Sequence, residues 1–129
     1  MRVEREIQIR WGDLDAMQHV NHAVYLSYLE TAREDWFADL LAGTGADSMQ
    51  FAIRRLELDF LSQLTVADDP ARVEVALAAV GISSLTTRER ILAGSDGRVA
   101  LEAVCVSVHL DAAKLRSAPL PDAVRARLS

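Results

Sequence analysis

Apolar and polar positions alternate from the start of the chain. In VEREIQIRW (3–11), Val3, Ile7, Ile9 and Trp11 fall on one face and charged or polar residues on the other, a period of two that predicts a strand. After the polar stretch DLDAMQHVN the period changes. Tyr25, Leu29, Ala32, Trp36 and Leu40 recur at spacings of three and four, which predicts a helix of about twenty residues, about 30 Å long. Asn21 is placed to cap its start, and the GTG at 43–45 to end it.

The rest reads as strands. In FAIRRLELDF (51–60) the apolar residues move from odd positions (Phe51, Ile53) to even ones (Leu56, Leu58, Phe60). A slip of one at Arg54–Arg55 predicts a β-bulge. QLTVADDPA reads as a loop, and RVEVAL as a strand with Val73, Val75 and Leu77 on one side. GISS turns the chain into LTTRERIL, and GSDG at 94–97 has hairpin-turn composition. VALEAVCVSVHL is nearly unbroken in apolar character, as in an interior strand covered on both faces. Pro119 and Pro121 then break the pattern before a short helix, DAVRARL. Strand, long helix and four further strands predict an α+β domain, a five-stranded antiparallel sheet curved around one helix. With no repeat, low-complexity tract or linker, residues 1–129 are expected to form a single domain.

Composition narrows the function classes. Half of the residues are apolar and the formal net charge is −5, which gives no electrostatic footprint for nucleic acid. The single cysteine, Cys105, sits among strand-like apolar neighbours and is expected to pack. MRVEREIQIR places charges where a signal peptide needs its apolar run, and no run approaches a membrane span. The expectation is a cytoplasmic protein.

The chemistry is concentrated in the loop before the helix, DLDAMQHVNHAVYL (13–26). Aspartate and asparagine there have two readings. They form Asx turns and caps, or a carboxylate beside a helix N-terminus attacks a polarised carbonyl or activates water to do so. His19 and His22 form an H-x-x-H pair. A helical zinc pair needs i, i+4 spacing and a third ligand. His109 is the remaining histidine and no cysteine is near in sequence, so neither metal nor cofactor is expected.

The block WGDLDAMQHVNHAVYLSYLETAR resembles the hotdog-fold acyl thioesterases, including the 4-hydroxybenzoyl-CoA and plant acyl-carrier-protein thioesterases, and KLRSAPLPDAV resembles a common ending of that family. The resemblance implies a curved antiparallel sheet around one long helix, in the element order read above. It also implies hydrolysis of an acyl thioester without a cofactor. By position, Asp15 falls on the family's catalytic aspartate. His22 falls where a backbone N–H at the helix N-terminus polarises the thioester carbonyl. Negative charge on that oxygen in the transition state is stabilised by preorganised N–H donors and the helix dipole. His19 matches a histidine of the plant enzymes, but the asparagine two residues before it is here Met17. His19 is therefore either a catalytic residue or a hydrogen-bonding residue of the loop. Asn21 and Tyr25 are expected to position the loop and the acyl group, Asp13 to form a turn, and Glu30 to serve as a second carboxylate or to pair near Arg33.

The implied substrate is an acyl-CoA or an acyl group on a carrier protein. Family members often place bases in the turn before the fourth strand to meet nucleotide phosphates, whereas here it reads VGISSLTT with no base until Arg88. Ser83, Ser84 and Arg88 are the candidates, since hydroxyl and backbone N–H groups also bind phosphate. Arg54, Arg55, Arg90 and Arg116 are further basic candidates. The alternatives are a non-catalytic acyl-binding module and a hydratase of the same fold. A single sheet around one helix leaves an edge exposed, so a homodimer or homotetramer with sites shared between chains is expected.

Overall fold

The computed structural model describes residues 1–111, 113 and 115–128. Lys114 of the C-terminal KLRSAPLPDAV segment lies outside them. Strand β1 spans Arg2–Ile7, helix α1 His22–Leu41, β2 Phe51–Phe60, β3 Ala71–Val80, β4 Ser84–Leu92, β5 Val99–Asp111, β6 Arg116–Ser117 and helix α2 Asp122–Leu128. The main strands form an antiparallel sheet in the order β1-β3-β4-β5-β2. This is the expected α+β architecture, a long helix held by a curved sheet. The two-residue β6, unannounced in the proline-rich stretch, pairs with the end of β5.

The first strand ends earlier than its alternation suggests. Ile9 is buried, but its N–H leaves the ladder and donates to Asp69 Oδ1 at 2.8 Å. Trp11 then opens a 3₁₀ turn through Asp13, and its side chain is 73% exposed. Trp11 therefore does not share the face of Val3 and Ile7. The turn is closed by the Arg10 N–H donating to Asp13 Oδ2 at 3.0 Å and the Asp13 N–H donating to the Arg10 carbonyl at 2.9 Å.

Helix α1 matches its periodicity. Tyr25, Leu29, Ala32, Trp36 and Leu40 are all buried, and Asn21 caps the start by accepting from the Ala23 N–H at 3.0 Å. Just beyond its end, Gly43 takes a φ of +73°, the left-handed conformation that glycine adopts without steric penalty. In β2 the pairing with β5 passes from Ile53↔Ser107 to Arg55↔Val106, so Arg54 is the extra residue of a bulge. That is where the apolar phase slips. A second irregularity, between Leu77 and Ala79 in β3, has no comparable phase signal. Strand β5 lies between β4 and β2, the central place expected of it, but within one chain it is not covered on both faces: Glu102 is exposed and Val104 and Val106 only half-buried on the outer one. Cys105 is buried on the inner face, its thiol pKa pushed up by burial.

Arg33 also lies on the buried face of α1. Its Nε and Nη2 donate to Glu89 of β4 at 2.8 and 2.5 Å, and Thr87 Oγ1 donates to the same carboxylate at 2.8 Å. Burial would lower the Arg33 pKa, but the hydrogen bonds and charge of Glu89 hold it above its ordinary value. Arg33 thus pairs inward across the core, and its expected pairing with Glu30 does not form. A second clasp joins loops distant in sequence. Arg98 donates to Asp68 at 3.0 and 3.1 Å and to the Gln63 carbonyl at 2.6 Å, and Ser95 Oγ donates to Asp68 at 2.5 Å. The Arg98 hydrogen bond, with help from Ser95, holds the Asp68 carboxyl well below the usual carboxylate range despite its desolvation.

The helix lies chiefly over β1, β3 and β4. The inner face of β2 is consequently left half open: Ile53 is 51% and Phe60 50% exposed, although both pair with residues on the helix-facing side of β5. Between them, Leu56 and Leu58 pack against the core, so the cover is incomplete chiefly at the two ends of β2.

Candidate active site

The segment from Asp13 to Asn21 is built by backbone and side-chain hydrogen bonds. Asp15 and His19 are joined through their backbones (Asp15 N–H to the His19 carbonyl, 2.8 Å), and the Gln18 N–H donates to the Asp15 carbonyl at 2.9 Å. This tight loop puts Gln18 at φ +63°, a left-handed conformation that a residue with a long side chain rarely takes. The loop is tied down at both ends. The Val20 N–H donates to the Leu64 carbonyl and the Asn21 N–H to the Asp13 carbonyl, each at 2.8 Å. Tyr28 donates its hydroxyl proton to Asp13 Oδ2 at 2.6 Å, and burial together with this bond raises the phenol pKa. Asp13 is thus the turn residue expected, and it also fastens the loop to the helix.

Asp15 satisfies both readings of its position. Its Oδ1 accepts from the Met17 and His19 N–H groups at 2.9 and 3.2 Å, which is an Asx turn. Its Oδ2 accepts from no donor among the described residues and is open for chemistry. Asp15, His19, His22 and Tyr25 line one cavity of about 450 Å³, closed on the other side by Phe60 and the segment 61–63. The His22 N–H, the first of α1, has no acceptor among the described residues, so it retains the hydrogen-bonding capacity of a helix N-terminus. The Tyr25 hydroxyl accepts from the Leu64 N–H at 3.1 Å, and its ring meets Phe60 edge-on at 5.5 Å. Burial raises the Tyr25 pKa, keeping it a neutral donor. A carboxylate, the first residue of the helix and a phenol thus line one cavity together with Phe60. Such a set can hold a carbonyl, polarise it and deliver a nucleophile to it.

Asn21 belongs to the cap beside the cavity and does not line it. Ser83 and Ser84 lie elsewhere. The Ser83 carbonyl accepts from the His109 N–H at the Phe51 end of β2, whereas the Asp15 cavity is at the Phe60 end. Phe51 and Phe60 are the two ends of a ten-residue strand, about 30 Å apart. Arg88 projects from the outer face of the sheet into a shallow depression with Glu57, Asp59, Arg90 and Glu102. Within one chain, these three residues are not brought to Asp15. Among the other basic candidates, Arg55 pairs with Glu57 and Arg90 with Glu74, Arg54 occupies the bulge and Arg116 lies in β6. Among the described residues, no three His, Cys, Asp or Glu groups come together as a metal site.

Sequence reading did not find Phe60, Leu61, Ser62 and Gln63 as cavity walls. The segment after β2 reads only as a loop. It is positioned by the Leu61 and Ser62 N–H groups on the Ala100 carbonyl (2.8 and 3.1 Å) and by Arg98 on the Gln63 carbonyl, contacts that no local pattern announces.

Comparison with known proteins bears on the fold and the family. A thioesterase from Thermus thermophilus, crystallised with coenzyme A and zinc, is 34% identical, with 96% of this chain and 89% of that one aligned and a TM-score of 0.84. A candidate thioesterase from Pseudomonas aeruginosa is 30% identical over 98% of this chain and 97% of its own, with a TM-score of 0.81. A 1,4-dihydroxy-2-naphthoyl-CoA thioesterase from Synechocystis, at 17% identity, 99% and 96% coverage and a TM-score of 0.81, shares the fold. None of the curated proteins compared matches the chain. The profile of the Thioesterase-like superfamily spans residues 9–128, and with the long helix and the curved antiparallel sheet in place, this chain belongs to that superfamily and has its hotdog fold.

Proposed function

We propose that the protein hydrolyses acyl-CoA thioesters, with Asp15 as nucleophile or general base. The observation that carries this reading is the juxtaposition of the open Asp15 Oδ2 and the unpaired His22 N–H in one cavity. The carbonyl oxygen sits against the His22 N–H and the helix dipole, where it gains negative charge as the carbonyl carbon is attacked. Tyr25 supplies a further donor, and His19 shapes the loop through its backbone. The structure crystallised with coenzyme A supports CoA as the carrier, and an acyl-carrier protein is the alternative. The test is release of free thiol from a panel of acyl-CoAs. Turnover of an acyl-CoA should exceed that of the matching acyl-N-acetylcysteamine and weaken with salt through KM more than kcat. Equal turnover of the two would show that the nucleotide is not recognised.

The site is proposed to be completed by a second copy. Strand β2 is a sheet edge, and its inner face keeps Ile53 and Phe60 half exposed. Pairing two β2 edges antiparallel about a two-fold axis would bring the Ser83–Ser84 turn of one copy toward the Asp15 cavity of the other, since these groups occupy opposite ends of β2. There Ser83 and Ser84 would meet the phosphates of CoA, with Arg88 on the rim. The expected species is a homodimer or homotetramer acting in the cytoplasm. An active monomer by light scattering at micromolar concentration would overturn the shared site.

A further inference from the structure

The free edge of β2 is matched to itself. Strand β1, at the opposite edge of the sheet, is guarded by Arg2, Glu4, Arg5 and Glu6, and such charges keep an edge from pairing. Strand β2 has no such guard on the helix side, where Phe51, Ile53, Leu56, Leu58 and Phe60 are all apolar. A two-fold contact requires an edge that complements its own copy run backwards. Residues directly opposite in an antiparallel pair point to the same face. A regular ten-residue strand paired with itself along its whole length would therefore set inner residues against outer ones. The bulge removes that mismatch. With Arg54 outside the ladder, nine of the ten positions remain and full overlap centres on Leu56. Phe51 then stands opposite Phe60 of the second copy, Ile53 opposite Leu58, and Leu56 opposite itself. On the outer face Arg55 meets Glu57, twice by symmetry, and Ala52 meets Asp59. Every inner pair is apolar, and the charged pairs are of opposite sign. The backbone agrees. The His109 N–H bonds to Ser83 on the β4 side, so Phe51, across the ladder from His109, turns its own N–H and carbonyl to the free edge.

We propose that β2 pairs in this register with a second copy of the chain, and that the pairing sets Met49 of one copy in the wall of the other copy's Asp15 cavity. This rests on the shared-site reading above and gives it a register. Past the ends of the strand, Gln50 reaches the level of Leu61 on the second copy, and Met49 that of Ser62, which lines the cavity. Ile53 and Phe60, half exposed in one chain, are covered in the same contact. Met49 is 89% exposed, yet its turn is firmly made. Asp47 Oδ1 accepts from the Met49 N–H at 2.8 Å, Gln50 Oε1 from the Asp47 N–H at 2.8 Å, and the Ser48 hydroxyl donates to Glu34 at 3.2 Å. A turn fixed in this way holds an apolar side chain out into water, and the second copy supplies the surface that buries it. The flexible thioether adapts to the acyl group lying beside it.

The test places two cysteines on the outer face, away from the cavity. Ala52→Cys and Asp59→Cys cannot close a disulfide within one chain, because six ladder steps, about 20 Å, separate them. In the proposed register each stands opposite the other on the second copy, so the double variant should give a covalent dimer on a non-reducing gel after mild oxidation. Neither single variant should do so, and the native Cys105 is buried. Light scattering of the unoxidised protein gives its mass. A dimer whose double variant does not cross-link, or whose single variants do, overturns the register and leaves the shared-site reading standing. A monomer overturns both. Met49→Trp tests the wall: kcat/KM for the longest acyl-CoA that the parent hydrolyses should fall about tenfold relative to the shortest. An unchanged ratio removes Met49 from the cavity. Absence of turnover on every acyl-CoA overturns the wall together with the thioesterase reading, and the gel still decides the register.

Discussion

Asp15→Asn should leave a folded protein whose kcat on its best acyl-CoA is lower by about 10²–10⁴, the range for losing a positioned base, with substrate still bound. The geometry makes this substitution a clean one. The structural work of the side chain is done by Oδ1, which accepts from the Met17 and His19 N–H groups. An asparagine carbonyl oxygen takes over both bonds. What the amide cannot do is attack a carbonyl or accept a proton at the second position. The variant therefore removes the chemistry of Oδ2 and keeps the turn made by Oδ1. Thermal stability measured beside kcat separates the two. An unchanged midpoint with collapsed turnover identifies the carboxylate as catalytic, whereas near-normal turnover identifies it as a turn residue and refutes the mechanism. His19→Ala should cost less, because the contribution of His19 to the loop is through its backbone N–H and carbonyl.

The features legible in the sequence are those that depend on local periodicity and on a contiguous motif. The register slip at Arg54 is visible because one face of β2 is apolar, so an extra residue shifts every later side chain to the opposite parity. The Asn21 cap and the Asp13–Asp15 turns are local hydrogen-bonding devices, and they stand where aspartate and asparagine precede an apolar period of 3.6. Trp11 misled because alternation registers hydrophobicity, whereas the end of a strand is set by where the backbone N–H groups go. The Ile9 N–H goes to a side chain sixty residues away. The walls of the cavity were illegible for the same reason. Residues 61–63 are held by Ala100 and Arg98, and Arg98 is in turn fixed by Asp68. Only the folded sheet brings these three segments together. Glu89 gave no clue either. In LTTRERIL it reads as one of three alternating charges, and only the register with Val75 and Ala103 turns it toward the helix while Arg88 and Arg90 face outward.

The Glu89 carboxylate is where the largest loss of stability is expected. Glu89 is 1% exposed and accepts three hydrogen bonds, two from Arg33 and one from Thr87. Glu89→Ala leaves a buried guanidinium with no counter-charge and a buried hydroxyl with no acceptor. The expected cost is about 3–5 kcal/mol, a large share of the stability of a domain this size. Replacing the whole network should behave differently. R33M, T87V and E89L together fill similar volume with no stranded polar group, and the combined variant is expected to be at least about as stable as the parent. Denaturant midpoints of the parent, the single variant and the triple variant provide the check. If the triple variant is as damaged as Glu89→Ala, the ion pair is an irreplaceable part of the core. If the triple variant is stable, the fold does not require the charges.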